Sequence, residues 1–153
     1  MVREGKKFSV RTRFVNGVSI LVVKFSVDDT TSENGTARRE WEHEFSLSIE
    51  ELDQMLLDAD FEYQAKWSRE REEYKSEGVN ICLDKNAGYG YVAEFEKILG
   101  LEDDLDTAKE ELRAMISDLG YEELDQERLE RMFAYYNENW RDYYGTENTF
   151  EME

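Results

Sequence analysis

The sequence predicts an α+β fold, with antiparallel strands in the first half of the chain and helices in the second. Asn16-Gly17, between two β-prone runs, is a strong signal for a hairpin turn. Charged residues on the strand-like segments recur at two-residue spacing, and on a strand such side chains point to one face. Five charged faces in a small chain predict a charged interior, such as a barrel lumen or a cleft holding an anion and its metals. The spaced charges are Arg11 and Arg13; Arg38, Glu40 and Glu42; Arg69 and Arg71; Asp84; and Glu94 and Glu96.

Six segments are predicted as strands from their β-prone residues and from the turn signals between them. The polar segment Asp28–Thr36 carries Asn34-Gly35 and is predicted as a loop, and Asn86–Gly90 is predicted as a turn. Phe61–Tyr74 is assigned mostly to a strand, although its charge content would also suit a helix. The predicted strands cover Phe8–Phe14, Val18–Val27, Arg38–Phe45, Phe61–Tyr74, Val79–Asp84 and Tyr91–Ile98.

Three helices are predicted from apolar residues at helical spacing and from capping residues. Ser48 and Glu51 form a capping box at the start of the first helix. Thr107 and Glu110 predict a similar start for the second helix. The remaining predicted ends are Gly120 for the second helix, and about Asp125 and Gly145 for the two ends of the third.

Length and composition limit the class of protein. The 153 residues suffice for one domain with a real core, and 40% hydrophobic and 13% aromatic residues favour a folded chain. The net charge of −18 argues against general binding to nucleic acids or anionic membranes, so any anion must be held by local arginines and lysines. No signal peptide and no apolar run of about 18 residues is present, which predicts a soluble, cytoplasmic protein.

The single cysteine and the single histidine leave little for other chemistries. Cys82 on its own excludes an internal disulfide and a cysteine-based zinc site. His43 shares the Trp41 side of its predicted strand, opposite Glu40 and Glu42, and is interpreted as a structural or surface residue. Carboxylates are therefore the expected metal ligands.

Converging carboxylates and arginines are the residue types that metal-assisted phosphoryl transfer needs. Carboxylates ~5 Å apart repel by ~3 kcal/mol per pair at an effective dielectric constant near ~20, so they need cations or protons. Oxygen ligands suit Mg²⁺, Mn²⁺ or Ca²⁺, and arginine forks bind phosphate oxygens. Metal-assisted phosphoryl or nucleotidyl transfer combines the two. Alternating Glu and Arg also form ordinary cross-strand ion pairs, so the pattern alone leaves a structural role open.

In their order and spacing, these segments resemble the CYTH family, the triphosphate tunnel metalloenzymes. That family includes class IV adenylyl cyclases, thiamine triphosphatases and inorganic triphosphatases. The resemblance runs from about Phe8 to Trp140, and its sharpest part is Leu83-Asp84 through Glu94-Phe95-Glu96. The matching pieces are Arg11-Thr12-Arg13, Lys24, Arg38-Arg39-Glu40-Trp41-Glu42, Arg69 to Tyr74, Ile81 to Asp84, and Gly88 to Glu96.

The resemblance implies one domain over residues 1–153 that forms an antiparallel barrel with a charged tunnel. It implies hydrolysis or cyclisation of a triphosphate-containing substrate, such as a nucleotide, with Mg²⁺ or Mn²⁺. Asp84 would bind metal, orient an arginine or help to activate the nucleophile, and together with Arg71 it forms the expected catalytic pair. The implied metal ligands are Glu40, Glu42, Glu94 and Glu96, and the implied phosphate ligands are Arg11, Arg13, Lys24, Arg38, Arg69 and Arg71.

The chain departs from the family at its N-terminus. The family normally opens with a Glu-x-Glu-x-Lys strand, a helix and a further strand, and Met1–Lys7 contains no such motif. Glu151-Met152-Glu153 lacks a following lysine and is interpreted as a coincidence. A truncated sequence, a barrel completed by a second copy or a partner chain, and a reduced protein that only binds all fit this departure. Two non-enzymatic alternatives therefore stand beside the enzyme: a nucleotide- or polyphosphate-binding module, and a dimerising interaction protein.

Overall fold

The computed structural model describes residues 8–26, 38–100 and 102–152, and these ranges contain six strands and three helices. They fall into two units, residues 1–63 with β1 to β3 and α1, and residues 64–153 with β4 to β6, α2 and α3. The α+β class and the antiparallel strands are thereby confirmed. The elements are β1 (Phe8–Val15), β2 (Val18–Ser26), β3 (Arg38–Phe45), α1 (Ile49–Asp58), β4 (Arg69–Ser76), β5 (Val79–Asn86), β6 (Gly90–Lys97), α2 (Leu105–Asp118) and α3 (Gln126–Tyr143).

The first unit contains a three-stranded antiparallel sheet with β2 at its centre. Asn16 and Gly17 both adopt positive φ angles, 50° and 84°, and form the predicted hairpin turn between β1 and β2. Directly paired residues share a face, so the register places charged residues of all three strands on one face. That face carries Arg11, Arg13, Lys24, Arg38, Glu40 and Glu42, and the other carries Phe8, Phe25, Trp41 and His43.

Helix α1 begins with the predicted capping box. The Glu51 N–H donates to Ser48 Oγ at 3.2 Å, and the Ser48 N–H donates to Glu51 Oε2 at 2.8 Å. Leu52 is fully buried, and Thr12 of β1 donates a hydrogen bond to Asp53, so the helix lies on the face of the sheet that carries Phe8 and Trp41. Helix α1 therefore does not cover the charged face of this sheet.

Replacing Ser48 by alanine is expected to lower the free energy of unfolding by about 1 kcal/mol, because the first turn of α1 loses an acceptor for its backbone N–H groups. Urea denaturation followed by circular dichroism measures the change. The control is Ser46→Ala, two residues earlier and outside the cap, with an expected change within about 0.5 kcal/mol. Equal effects of the two substitutions would contradict a capping role.

The second unit contains another three-stranded antiparallel sheet, with β5 at its centre. Arg71 pairs with Asp84, and Glu73 lies in register with Cys82 and Glu94 across the three strands. As in the first sheet, the register gathers charges on one face. This face carries Arg69, Arg71, Glu73, Lys75, Asp84, Glu94 and Glu96.

Helix α2 begins three residues earlier than the Thr107–Glu110 pair predicts. Asp104 is the N-cap, and its carboxylate accepts from the Thr107 N–H and hydroxyl at 2.8 Å. Thr107 thus occupies the third helical position, since aspartate caps as well as threonine does. The helix contacts β6 through an ion pair between Glu111 and Lys97. It ends at Asp118, and the C-cap Leu119 is followed by the predicted Gly120.

Helix α3 has the predicted limits, with Asp125 as N-cap and Gly145 just beyond the C-cap Tyr144. Tyr136 is fully buried, its hydroxyl donates to the Lys66 carbonyl at 2.8 Å, and burial raises its pKa to about 12. Its ring stacks on Tyr89 with centroids 4.7 Å apart, next to the turn between β5 and β6. The helix is therefore anchored on the hairpin that carries Asp84 and Glu94.

The segment after α3 is bound to the same turn. The Gly88 N–H donates to the Asn148 carbonyl at 2.8 Å, and the Phe150 N–H donates to the Gly88 carbonyl at 2.9 Å. The Phe150 ring contacts Tyr89 and Tyr135 at centroid distances of 5.7 and 4.8 Å. Residues 148–150 thus form a strap, hereafter the C-terminal strap, over the β5–β6 turn.

The structure differs from the sequence-based prediction in the segment before β4. The strand predicted over Phe61–Tyr74 is wrong for residues 61–68, which have no regular structure; β4 begins at Arg69. In that segment the Lys66 carbonyl accepts a hydrogen bond from the Tyr136 hydroxyl, and the Ser68 carbonyl accepts one from the Ala87 N–H. The predicted loop Asp28–Thr36 lies outside the described residues. Among the helices described, none is both long and apolar enough to span a membrane.

Candidate functional site

The second sheet holds a buried carboxylate gripped by two arginines. Asp84 on the central strand is only 2% exposed. Arg71 on β4 donates from Nε to Oδ1 and from Nη2 to Oδ2, both at 2.6 Å, and Arg69 donates from Nη1 to Oδ2 at 2.9 Å. A buried carboxylate requires such partners, and a two-pronged contact fixes the guanidinium plane as well as its position. Asp84 therefore orients both arginines.

Glu94 on β6 lies on the solvent side of this group. Its Oε2 accepts from Arg71 Nη2 at 2.7 Å, its Oε1 lies 3.9 Å from Arg69 Nη1, and its side chain is 55% exposed. The hydrogen bond with Asp84, followed by the charge of Glu94, raises the pKa of Arg71 above its usual value. Arg71 is therefore a permanent cation, and Asp84 holds its guanidinium group in place through Nε and Nη2.

The arginines keep further donors for an anion. Arg71 Nη1, and Nε and Nη2 of Arg69, have no partner in the described part of the chain. The side chain of Arg71 is 22% exposed and that of Arg69 is 33% exposed, so both are partly accessible to solvent. Guanidinium groups with remaining N–H donors have the chemistry to bind an oxyanion such as phosphate.

The first sheet carries two ion pairs on its charged face. Lys24 Nζ lies 2.7 Å from Glu40 Oε2, and Arg13 Nη1 lies 3.1 Å from Glu42 Oε1. Partial burial raises the pKa of Glu40, but the hydrogen bond and charge of Lys24 outweigh it, so the net pKa lies below the ordinary 4.5. This pair therefore stabilises the fold above pH 4.5 and loses its effect as the pH falls through the lowered pKa.

The other two predicted phosphate ligands are on the same face but outside these pairs. Arg11 lies in register with Val22 and Glu42, one position along from Arg13 on that face, and it is exposed. Arg38 is an exposed residue at the start of β3, paired in register with Ser26. Within the first unit, then, the six predicted residues share a face, on which Arg13 pairs with Glu42 and Lys24 pairs with Glu40.

Each sheet contributes one pair of candidate metal ligands. Glu40 and Glu42 lie two residues apart in the first unit, and Glu94 and Glu96 in the second. In residues 8–26, 38–100 and 102–152, no group of three or more carboxylate, imidazole or thiol side chains converges as a metal cage would. The donor chemistry nevertheless fits Mg²⁺ or Mn²⁺, because Mg²⁺ commonly uses one or two carboxylates, with water and phosphate oxygens as its other ligands.

Some residues on the charged face of the second sheet were missed by the sequence analysis. Glu73 and Lys75 continue the two-residue series of Arg69 and Arg71, so the same spacing rule identifies them. Asn80, which lies in register with Lys75 and Glu96, has no comparable sequence signal because its place depends on the register. The grip of the two arginines on Asp84 likewise became visible only with the register known.

Comparisons with known proteins agree with this geometry. The model of the CYTH domain matches residues 3–129. A conserved hypothetical protein from Pyrococcus furiosus is similar in structure, with a TM-score of 0.61 and 23% identity over 80% of this chain and 77% of that one. From Pyrococcus horikoshii, PH1819 is similar with a TM-score of 0.61 and 24% identity over 79% and 68% of the two chains. PH1012 has a TM-score of 0.61 and 18% identity over 78% and 75%.

At these identities the likeness to the solved structures concerns the fold alone. No curated protein matches the chain. The family model, however, spans most of the 153 residues, including every strand with a candidate site residue. The chain belongs to the CYTH domain family.

Proposed function

We propose that this protein binds a triphosphate-containing substrate on its charged strands and hydrolyses or cyclises it with Mg²⁺ or Mn²⁺. The observation that supports this most strongly is the grip of Asp84 on Arg69 and Arg71, with Glu94 and Glu96 on the same face of the sheet. Family membership adds the general expectation of a triphosphate ligand. A single domain over residues 1–153 is part of the proposal.

In this proposal each charged residue has a distinct task. Arg69 and Arg71 neutralise phosphate oxygens in the ground state and the charge that develops on them during transfer. Asp84 holds the two guanidinium groups in position, which is a role in orientation and not in metal binding, because both of its oxygens already accept from arginine. Arg11, Arg13, Lys24 and Arg38 are the proposed phosphate ligands of the first unit.

The four glutamates are the proposed metal ligands. Bound there, Mg²⁺ or Mn²⁺ would withdraw charge from the phosphate and orient the attacking water or ribose hydroxyl. Glu94 and Glu96 present oxygens on one exposed edge strand, where a metal–phosphate complex can reach them. Glu40 and Glu42 offer a second pair, in which Glu40 forms an ion pair with Lys24 and Glu42 forms one with Arg13.

The test is release of phosphate and pyrophosphate from tripolyphosphate and from ATP, with Mg²⁺, Mn²⁺ or EDTA. Metal-dependent phosphate release supports hydrolysis, and pyrophosphate together with cyclic AMP supports cyclisation. A folded sample that releases neither product from either substrate overturns the catalytic proposal.

Arg71→Ala is expected to weaken the binding of tripolyphosphate by about 1.5–3 kcal/mol, because charge-assisted hydrogen bonds to phosphate are lost. Isothermal titration calorimetry in the presence of Mg²⁺ measures the change. The matched control is Arg113→Ala, since Arg113 lies on α2, outside the strands of the sheet, and forms an ion pair with Glu123 at 2.9 Å. If Arg113→Ala weakens binding as much, the effect is one of net charge and not of the site.

A second candidate function is binding without turnover, by this chain alone or with a second copy or partner that completes the barrel. The observation in its favour is that the described carboxylates supply pairs and no larger metal-binding group. Tripolyphosphate binding that is unchanged by EDTA, with no product formed, supports this candidate. Product formation that rises with the square of protein concentration supports completion of the site by a second copy.

A further inference from the structure

Glu94 occupies one of the N–H donors of Arg71 that a phosphate oxygen could otherwise accept from. Nη2 of a guanidinium group carries two N–H donors. In Arg71 one of these serves Asp84 Oδ2 at 2.6 Å and the other serves Glu94 Oε2 at 2.7 Å. The two carboxylates differ in burial, since Asp84 is 2% exposed and the Glu94 side chain is 55% exposed. Of these two partners of Arg71, Glu94 is therefore the one that an incoming anion can reach from solvent.

Glu94 also lies close to the second arginine, Arg69. Its other oxygen lies 3.9 Å from Arg69 Nη1, so a single carboxylate faces both arginines from the solvent side. An anion that approaches from solvent meets this negative charge before it reaches either guanidinium group. A cation that accompanies the phosphate removes that repulsion, because Glu94 then gains an alternative partner.

We propose that Glu94 is a specificity-determining residue. It competes with metal-free anions for Arg69 and Arg71, and it is displaced when a triphosphate binds together with a divalent cation. This inference rests on the proposed function, since it assumes that the two arginines bind phosphate. It adds the chemical form of the ligand, the metal complex rather than the free polyanion. It also gives Glu94 a role in the ligand-free protein that is separate from metal binding.

The experiment compares tripolyphosphate binding to wild type, Glu94→Gln and Glu73→Gln by calorimetry in EDTA and in Mg²⁺. Glu73 is the matched control, because it lies in the same cross-strand row as Glu94, is exposed and has no ion-pair partner in the described ranges. Both variants remove one negative charge from the same face, and only one of them removes the competitor. Thermal unfolding by circular dichroism establishes that each variant is folded.

In EDTA, Glu94→Gln is expected to bind tripolyphosphate about fivefold to tenfold more tightly than wild type, and Glu73→Gln less than about twofold more tightly. The ratio of affinity in Mg²⁺ to that in EDTA is expected to be smallest for Glu94→Gln. Equal affinities of wild type and Glu94→Gln in EDTA, or an equal gain for Glu73→Gln, overturn this inference but leave the proposed function standing. No binding by any of the three folded proteins in either condition overturns both.

Discussion

Gly88→Ala is expected to destabilise the second unit by about 2–5 kcal/mol. Gly88 has a φ of 83°, a conformation that costs an ordinary L-residue about 1–2 kcal/mol. A Cβ at this position would lie 2.6 Å from Tyr136 Cδ2 and 3.2 Å from Phe150 Cε1, and overpacking costs about 1–3 kcal/mol more. Tyr136 cannot retreat easily, because its hydroxyl is bonded to the Lys66 carbonyl. Urea denaturation measures the loss.

Gly78→Ala separates the two causes. Gly78 has a similar φ of 79° but no atom within 4 Å of an added Cβ, so only the conformational cost of about 1–2 kcal/mol applies. The difference between the two variants then reports the close contact of Gly88 with the aromatic rings. If the two substitutions have the same effect, the packing of Tyr136 against this turn is looser than described.

Asp84→Asn is expected to lower the free energy of unfolding by about 3 kcal/mol and to abolish most of the affinity for tripolyphosphate. The amide keeps the shape of the side chain but removes the charge that holds two guanidinium groups together. Breaking a buried ion pair by removing one partner typically costs about 3–5 kcal/mol, and the partial exposure of both arginines places the value at the lower end. Urea denaturation and calorimetry measure the two effects.

Two further variants make the Asp84 result specific. Asp142→Asn changes an exposed aspartate on α3 and is expected to alter stability by less than about 0.5 kcal/mol. Combining Asp84→Asn with Arg71→Ala is expected to cost less than the sum of the single changes, because both remove the same contact. Strict additivity would show that Asp84 does not act through Arg71.

Elements whose signals are local were predictable from the sequence. The β1–β2 hairpin follows from Asn16-Gly17, and the limits of Arg38–Phe45 and the capping box at Ser48 agree with the structure. The start of α2 was misplaced because Asp104 and Thr107 are both good capping residues. Residues 61–68 were assigned to a strand because their aromatic residues are β-prone, whereas in the structure Lys66 and Trp67 contact Tyr136 of α3.

The candidate site was predictable only in part for a related reason. Arg69 and Arg71 share a face because they are two residues apart, and residues at this spacing share a face in any strand. The contact of Arg71 with Asp84 depends on the register between β4 and β5, which the turn at Glu77-Gly78 sets with φ angles of 50° and 79°. The competition between Glu94 and phosphate for one N–H group depends on side-chain positions, for which the sequence has no local signal.

The C-terminal strap has a consequence for the order in which the protein matures during synthesis. The β5–β6 hairpin leaves the ribosome well before Asn148 and Phe150, whose backbone groups complete the bonds of the Gly88 turn. Until then the turn lacks both partners, and Tyr89 lacks its contact with Phe150. The nascent hairpin that carries Asp84 and Glu94 therefore gains these contacts only after the strap has been synthesised, so ribosome stalling before Asn148 leaves the Gly88 turn without them.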